Sequence, residues 1–254
     1  MSGPLLVERR DAVVVLTIDR PERRNAFDRA TAEAMEAAID AFDADDGLRV
    51  AVLTGAGGTF CAGQDLKAAA RGELGRTERR GGGGLMARPP EKPIIAAVEG
   101  HALGGGLELA LACDLVVAAR GARIGLPEAR RGFPAMGGGL FRLPRRIPYA
   151  LAMEAALTGA AWDAERYHEL GLVNRLAEPG QALEVALRLA AEIAAGGPVA
   201  VRASKAIVRH GPEWTDEESW TAQQRYVDTV LASEDYREGL AAFAEKREPV
   251  WKGR

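Results

Sequence analysis

The sequence predicts an α/β fold that gives way to an all-helical C-terminal region. Short runs of β-branched and small apolar residues alternate with helical stretches through the first half of the chain. Two of those runs are followed at once by glycine-rich turns, and beyond Pro148 the apolar spacing is helical to the end. The 254 residues, 47% of them hydrophobic, are enough for one sizeable core.

Ala12 to Ile18 reads as a strand, RPERRN breaks it, and Asp28 is placed to cap a helix running to about Phe42. Val50 to Thr54 is a second short apolar strand, closed by the loop GAGGT. The segment from Arg71 to Gly84 is rich in Arg, Glu and Gly and has no aromatics, so it is expected to be a mobile surface insertion rather than a lid over a site. Ile94 to Glu99 repeats the strand-then-glycine pattern after PPEKP. Leu107 to Ala112 then reads as a helix and Leu115 to Ala119 as a strand.

Composition excludes several function classes. Lys and Arg total 33 against 36 Asp and Glu, a net charge of -3, so no global basic field points to nucleic acid. Cys61 and Cys113 are the only cysteines, and no metal-ligand spacing accompanies the histidines. There is no signal-like N-terminus and no long apolar run, so the expectation is a cytoplasmic protein without membrane partners. Neither GxGxxG nor GxxxxGK[ST] occurs, so the glycines are not those of a standard nucleotide site.

What remains is VEGHALGGGLELALA, Val98 to Ala112. Three glycines before a helix are costly, at about 1 kcal/mol each relative to alanine within a helix, and a carboxylate in an apolar run is costly too. A helix starting near Gly105 would present unpaired amides and the positive end of its dipole. Gly104 to Gly106, lacking Cβ atoms, would let a carbonyl oxygen approach the backbone, as an oxyanion hole requires. A second donor could come from FCAGQDLK, Phe60 to Lys67. Taken singly, each motif is as simply explained by a helix cap, with Asp65 or Glu108 as the capping acid. Glu128, in IGLPEARRG, alters that balance: it follows one more helix and strand, enough chain to return to the same cavity. Two acids around a water can divide the roles of base and acid, while an ion pair with Arg130 or Arg131 is the competing account.

Together these segments resemble the crotonase, or enoyl-CoA hydratase/isomerase, superfamily. RPERRNAF, FCAGQDLK, IIAAVEGHALGGGLELALACD, LPEARRG and FAEKR occur in the family's order over essentially the whole chain. The resemblance implies a spiral of ββα units over residues 1–195 and a helical trimerisation region over residues 196–254. It implies a homotrimer, or a hexamer built as a dimer of trimers, acting on acyl-CoA thioesters. No cofactor is implied, since coenzyme A arrives with the substrate.

Carried over by position, the amides of Gln64 and Gly105 would form the oxyanion hole. Glu108 would be the base on water, and Glu128 would give or take the Cα proton. Arg24, Ala26, Ala62, Asp65, Leu66 and Lys67 would pass the nucleotide and pantetheine, and Phe243 and Lys246 would reach coenzyme A from the C-terminus. For Lys67 and Lys246 an ordinary solvated charge is the alternative. The expected activity is reversible syn hydration of trans-2-enoyl-CoA.

The alternatives are carnitinyl-CoA dehydratase, which the C-terminal LAAFAEKREPVWKGR also resembles, an enoyl-CoA isomerase, or a non-catalytic acyl-CoA binder. RNA binding along Arg71 to Arg88 is a further possibility that interspersed acids disfavour. One departure stands out: Phe133 and Pro134 set the proline one place earlier than in the family, beside the expected acyl pocket. Trp162, Tyr167 and His168 read as core or interface residues, and His101 as a packed side chain.

Overall fold

The computed structural model describes residues 3–254. The chain enters through a hairpin, β1 (Leu5–Arg10) antiparallel to β2 (Val13–Ile18). After a 3₁₀ turn at Pro21–Arg23 comes α1 (Arg29–Ala44), which starts where the Asp28 side chain accepts from the Thr31 amide. β3 (Val50–Gly55) lies parallel to β2, and the short α2 (Leu66–Ala69) starts at Asp65, which accepts from the Lys67 and Ala68 amides. A two-residue hairpin, β4 (Arg76–Thr77) and β5 (Gly81–Gly82), precedes β6 (Ile94–Val98), which is parallel to β3.

From there a pattern repeats. β6 leads into β7 (His101–Leu103), which leaves the main sheet for a second one, and then into α3 (Gly105–Ala112). β8 (Leu115–Ala119) returns to the main sheet and leads into β9 (Arg123–Gly125), parallel to β7. α4 (Gly139–Arg142) and α5 (Tyr149–Thr158) follow. β10 (Ala161–Asp163) pairs with β9, and after α6 (Ala164–Glu169) the strand β11 (Arg175–Ala177) joins β8.

The main sheet has the order β1-β2-β3-β6-β8-β11 and the second β10-β9-β7. Each turn of the chain thus supplies a main-sheet strand, a second-sheet strand and a helix. In the earlier turns the second strand shrinks to one bridge, Phe27 to Gln64 and Cys61 to Ala102. What recurs is geometry rather than residues, so no repeat is visible in the sequence.

Both faces of the main sheet are covered, as parallel strands require. Val13, Val50, Val52, Ile95, Ala97 and Val117 pack on α7 (Ala182–Ala194), through Ala186, Leu189 and Ala190. The alternate residues, among them Leu16, Leu53, Ala96 and Ala118, face the side that holds α1 and α3. The chain ends in α8 (Pro198–His210), α9 (Asp216–Ala232) and α10 (Glu234–Glu245), which bury little apolar surface and leave Val208, Trp220, Leu231, Leu240 and Val250 exposed. Among the described residues no helix is long and apolar enough to cross a membrane.

Several expectations need correction. Sheet structure does not stop at Pro148: β10 and β11 lie beyond it, each three residues long and too short to show a period. Within the segment from Arg71 to Gly84, residues 71–73 are exposed as expected, but Leu74 to Gly84 is packed against α1 and α3 rather than being a free surface insertion. Arg80, 4% exposed, pairs with Asp40 and Asp43, Arg79 pairs with Asp40 and Glu36, and Gly84 lies on the Ala32 carbonyl of α1. Those acids on α1 are the partners that composition alone did not reveal, and they remove two cations from any RNA-binding strip. His101 is exposed rather than packed; His168 is exposed too, so it is not a core residue, and a ring nitrogen meets the Val173 carbonyl at 2.8 Å. Tyr167 is fully buried against Trp162, as expected.

Candidate active site

A cleft of about 1110 Å³ opens between the ends of α1, α2 and α3 on one side and the segments around Arg76–Ala87 and Arg131–Arg142 on the other. Gly104, with φ 57° and ψ -124°, turns the chain from β7 into α3 in a conformation that only glycine adopts readily. Its amide donates to the Gly125 carbonyl at 2.8 Å, which locks the turn to the second sheet. Gly63, with φ 99°, makes the matching turn ahead of α2.

The two turns touch. A Cβ added to Gly63 would stand 3.0 Å from the Gly105 nitrogen, and one added to Gly105 would stand 3.3 Å from the Gln64 nitrogen and 2.8 Å from the Phe27 ring. Neither the Gln64 nor the Gly105 amide donates to a protein acceptor among the described residues, because the Phe27 bridge uses the Gly63 carbonyl and the Asp65 amide instead. Two N–H groups without protein acceptors therefore lie near each other at one edge of the cleft, where both line the same space.

Glu108 and Glu128 both line this cleft, at 4% and 6% exposure. Glu108 lies in the first turn of α3 yet caps nothing there. Its Oε1 accepts from the Gly137 amide at 2.7 Å and the Gly139 amide at 2.9 Å. The cap reading holds for Asp65, which also pairs with Arg20, and fails for Glu108. Glu128 sits on a 3₁₀ turn, Pro127–Arg131, and its Oε2 is buried with no hydrogen-bond partner. It makes no ion pair among the described residues: Arg130 turns away to donate to the Thr158 carbonyl, and Arg131 lines the cleft. The surface ion pair is thereby set aside.

Surroundings divide the two acids. Burial pushes both pKa values above their ordinary 4.5, but for Glu108 the two amide bonds and the charge of Arg142 pull back toward the ionised form. For Glu128 burial is reinforced by the negative charge of Glu108, with its own backbone amide and Arg131 as the opposing influences. Glu108 is thus the acid better suited to be a carboxylate, and Glu128 the one better suited to hold its proton.

Of the other expected site residues, Ala62, Gln64 and Leu66 line the cleft. Arg24 and Lys67 are exposed outside its lining, Ala26 is buried beneath, and Asp65 serves as cap and ion-pair partner. Phe243, 88% exposed, and Lys246, at the end of α10, are not brought to the cleft within this chain. The displaced Pro134 and its neighbours Phe133 and Met136 do form part of the wall. Gly137, Gly139 and Arg142 were missed; the run GGG at 137–139 was visible, but nothing local tied it to Glu108.

Fold and site together bring two backbone amides without protein acceptors and two buried carboxyl groups to one cleft, the equipment of an acid–base enzyme. The sequence model described as enoyl-CoA hydratase/isomerase matches residues 8–254, and the chain belongs to that family. Over 100% of both chains it is 53% identical, at a TM-score of 0.98, to an enoyl-CoA hydratase from Mycobacterium marinum. It is 43% identical, at a TM-score of 0.80 and again over 100% of both, to a carnitinyl-CoA hydratase from Mycobacterium avium. It is also 42% identical over 262 residues to the carnitinyl-CoA dehydratase of Proteus mirabilis, with 100% of each covered. The chain is an enzyme of the crotonase type, with the family's fold.

Proposed function

We propose that the chain is an enoyl-CoA hydratase that adds water reversibly across the trans-2 double bond of an enoyl-CoA thioester. The observation that carries this reading is the pair of buried acids in one cleft, one held by two amides and one with an orphaned oxygen. The thioester oxygen accepts from the Gln64 and Gly105 amides and gathers negative charge as the enolate forms. Glu108 takes a proton from water while the water oxygen bonds to Cβ, and Glu128 delivers its proton to Cα. Glu108 ends protonated and Glu128 ionised, and exchange with solvent restores both. An isomerase needs only one acid to move a proton, so the second acid favours hydration.

The cleft lining carries Arg29, Arg76, Arg131 and Arg142, cations that suit the phosphates of coenzyme A. Ala62, Gln64 and Leu66 border the proposed coenzyme A path, with Arg24, Ala26, Asp65 and Lys67 alongside. Phe243 and Lys246 reach the coenzyme only from a neighbouring copy, which fits a trimer formed through residues 196–254.

Purified protein given crotonyl-CoA is expected to deplete the enoyl-thioester absorbance. Glu108→Gln and Glu128→Gln are each expected to lower kcat by about 100-fold or more. Full turnover by both variants would refute the mechanism. Mass spectrometry of products from a panel of enoyl-, hydroxyacyl- and carnitinyl-CoA esters separates hydratase from dehydratase and isomerase. Binding of every ester without conversion would instead identify a non-catalytic binder.

A further inference from the structure

Arg142, the last residue of α4, lines the cleft without the carboxylate partner that an inward-facing guanidinium normally finds. Its hydrogen bonds go to backbone carbonyls instead: Nη1 donates to Gly137 O at 3.2 Å and Nη2 to Met86 O at 2.6 Å. Arg145, Arg146 and Arg209 crowd it with like charge, and Glu108 is the acid that attracts it. A cation in such a place is a stability cost. The geometry shows what it does there.

Met86 belongs to the packed segment after β5, and Gly137 to the loop that carries the displaced proline, so the guanidinium ties two separate parts of the cleft wall. Gly137 is held at both ends of the residue, its carbonyl by Arg142 and its amide by Glu108 Oε1, while the Gly139 amide meets the same oxygen. The other carboxylate oxygen, Oε2, accepts from no protein donor among the described residues and lies close over Gly137, where an added Cβ would meet it at 2.7 Å. The direction in which Oε2 faces is therefore set by where the loop is held.

We infer that Arg142 is a positioning residue for the hydration step: by tying the Gly137 carbonyl to the Met86 carbonyl it keeps the Gly137 and Gly139 amides on Glu108 and aims the free oxygen at water. This rests on the hydratase reading above. The charged groups facing Glu108 are Arg142 from α4 and Glu128 from the 3₁₀ turn, so removing the cation leaves Glu108 facing only a like charge.

The test compares Arg142→Gln and Arg142→Lys with the unaltered enzyme. For Arg142→Gln, kcat is expected to fall by about 100-fold, as for a misplaced catalytic group, with KM nearly unchanged. The acid limb of the pH profile of kcat/KM should also move to higher pH as Glu108 loses its cation. Arg142→Lys restores the charge and so the limb, but it replaces the two separated nitrogens of a planar fork with a single nitrogen, so the Gly137 and Met86 carbonyls are no longer held at the guanidinium's spacing and kcat stays low. Purely structural support would lower the melting midpoint and the active fraction while leaving the limb in place. An unmoved limb with kcat preserved in folded Arg142→Gln would overturn the inference.

Should Arg142→Gln fail to fold, Arg142→Lys decides it alone, with kcat lowered at an unchanged midpoint supporting the tie and kcat unchanged rejecting it. If the unaltered enzyme hydrates no enoyl-CoA ester, the hydratase reading itself fails. The tie itself is then judged from hydrogen exchange of the Gly137 and Gly139 amides: faster exchange in folded Arg142→Gln supports it and unchanged exchange rejects it.

Discussion

Glu128 illustrates how a side chain can be costly to the fold and still be kept. Its buried Oε2 has no donor, and burial together with the charge of Glu108 raises its pKa above 4.5. For a carboxyl whose folded pKa lies above its unfolded value, the folded chain binds the proton more tightly. The cost is therefore absent below pH 4.5, grows as pH rises toward the folded value, and is constant above it. Glu128→Gln is accordingly expected to melt at a higher temperature than the unaltered protein at pH 7, with the two midpoints converging in acid, while hydration falls about 100-fold or more. Thermal melts across pH check the first expectation and crotonyl-CoA turnover the second. Glutamate types at 108 and 128 were legible as candidates from the sequence. Their roles came only with the family resemblance; the physical contrast between them was not legible, because Glu108 is held by amides 29 and 31 residues away.

At the scale of elements, the cleft depends on close approaches that glycine permits and on a wall pinned by ion pairs. Gly106 sits where a Cβ would strike the Cys61 carbonyl, so Gly106→Ala forces α3 away from the turn that carries Gln64. It is expected to cost about 1 to 3 kcal/mol of stability and to lower activity by more than the loss of folded protein explains, which denaturant titration with parallel assays would show. Arg80→Ala leaves Asp43 without its cation and removes the bond to the Arg88 carbonyl, while Asp40 keeps Arg79. A loss of about 1 to 3 kcal/mol is expected, and limited proteolysis is expected to cut faster within residues 71–88 than in the unaltered protein. Helix starts at Asp28 and Asp65 were legible because a cap is local chemistry. The second sheet was not: β7, β9 and β10 are three residues each, and their partners are remote in sequence.

For the whole molecule, the C-terminal helices pose the remaining question of packing. Trp220, 76% exposed, together with Val208, Leu231, Leu240 and Val250, leaves an apolar surface that a single copy does not cover. On the trimer proposed above, the double substitution Trp220→Asp and Leu240→Asp is expected to lower the sedimentation coefficient toward that of a single chain, and an unchanged coefficient would refute that interface. A weaker apparent affinity for coenzyme A would follow if Phe243 and Lys246 serve a neighbour's cleft.

By itself the sequence determined the α/β class, the helix caps, the glycine turns and the pair of glutamates, since these are properties of residue type and short spacing. Only the tertiary structure decided that the segment from Leu74 to Gly84 packs on α1, that Glu128 has no ion-pair partner among the described residues, and that the Gly137 and Gly139 amides meet Glu108. Burial and hydrogen-bond direction are set by segments that meet only after the chain has folded, and those two quantities make the surroundings of the two acids unequal.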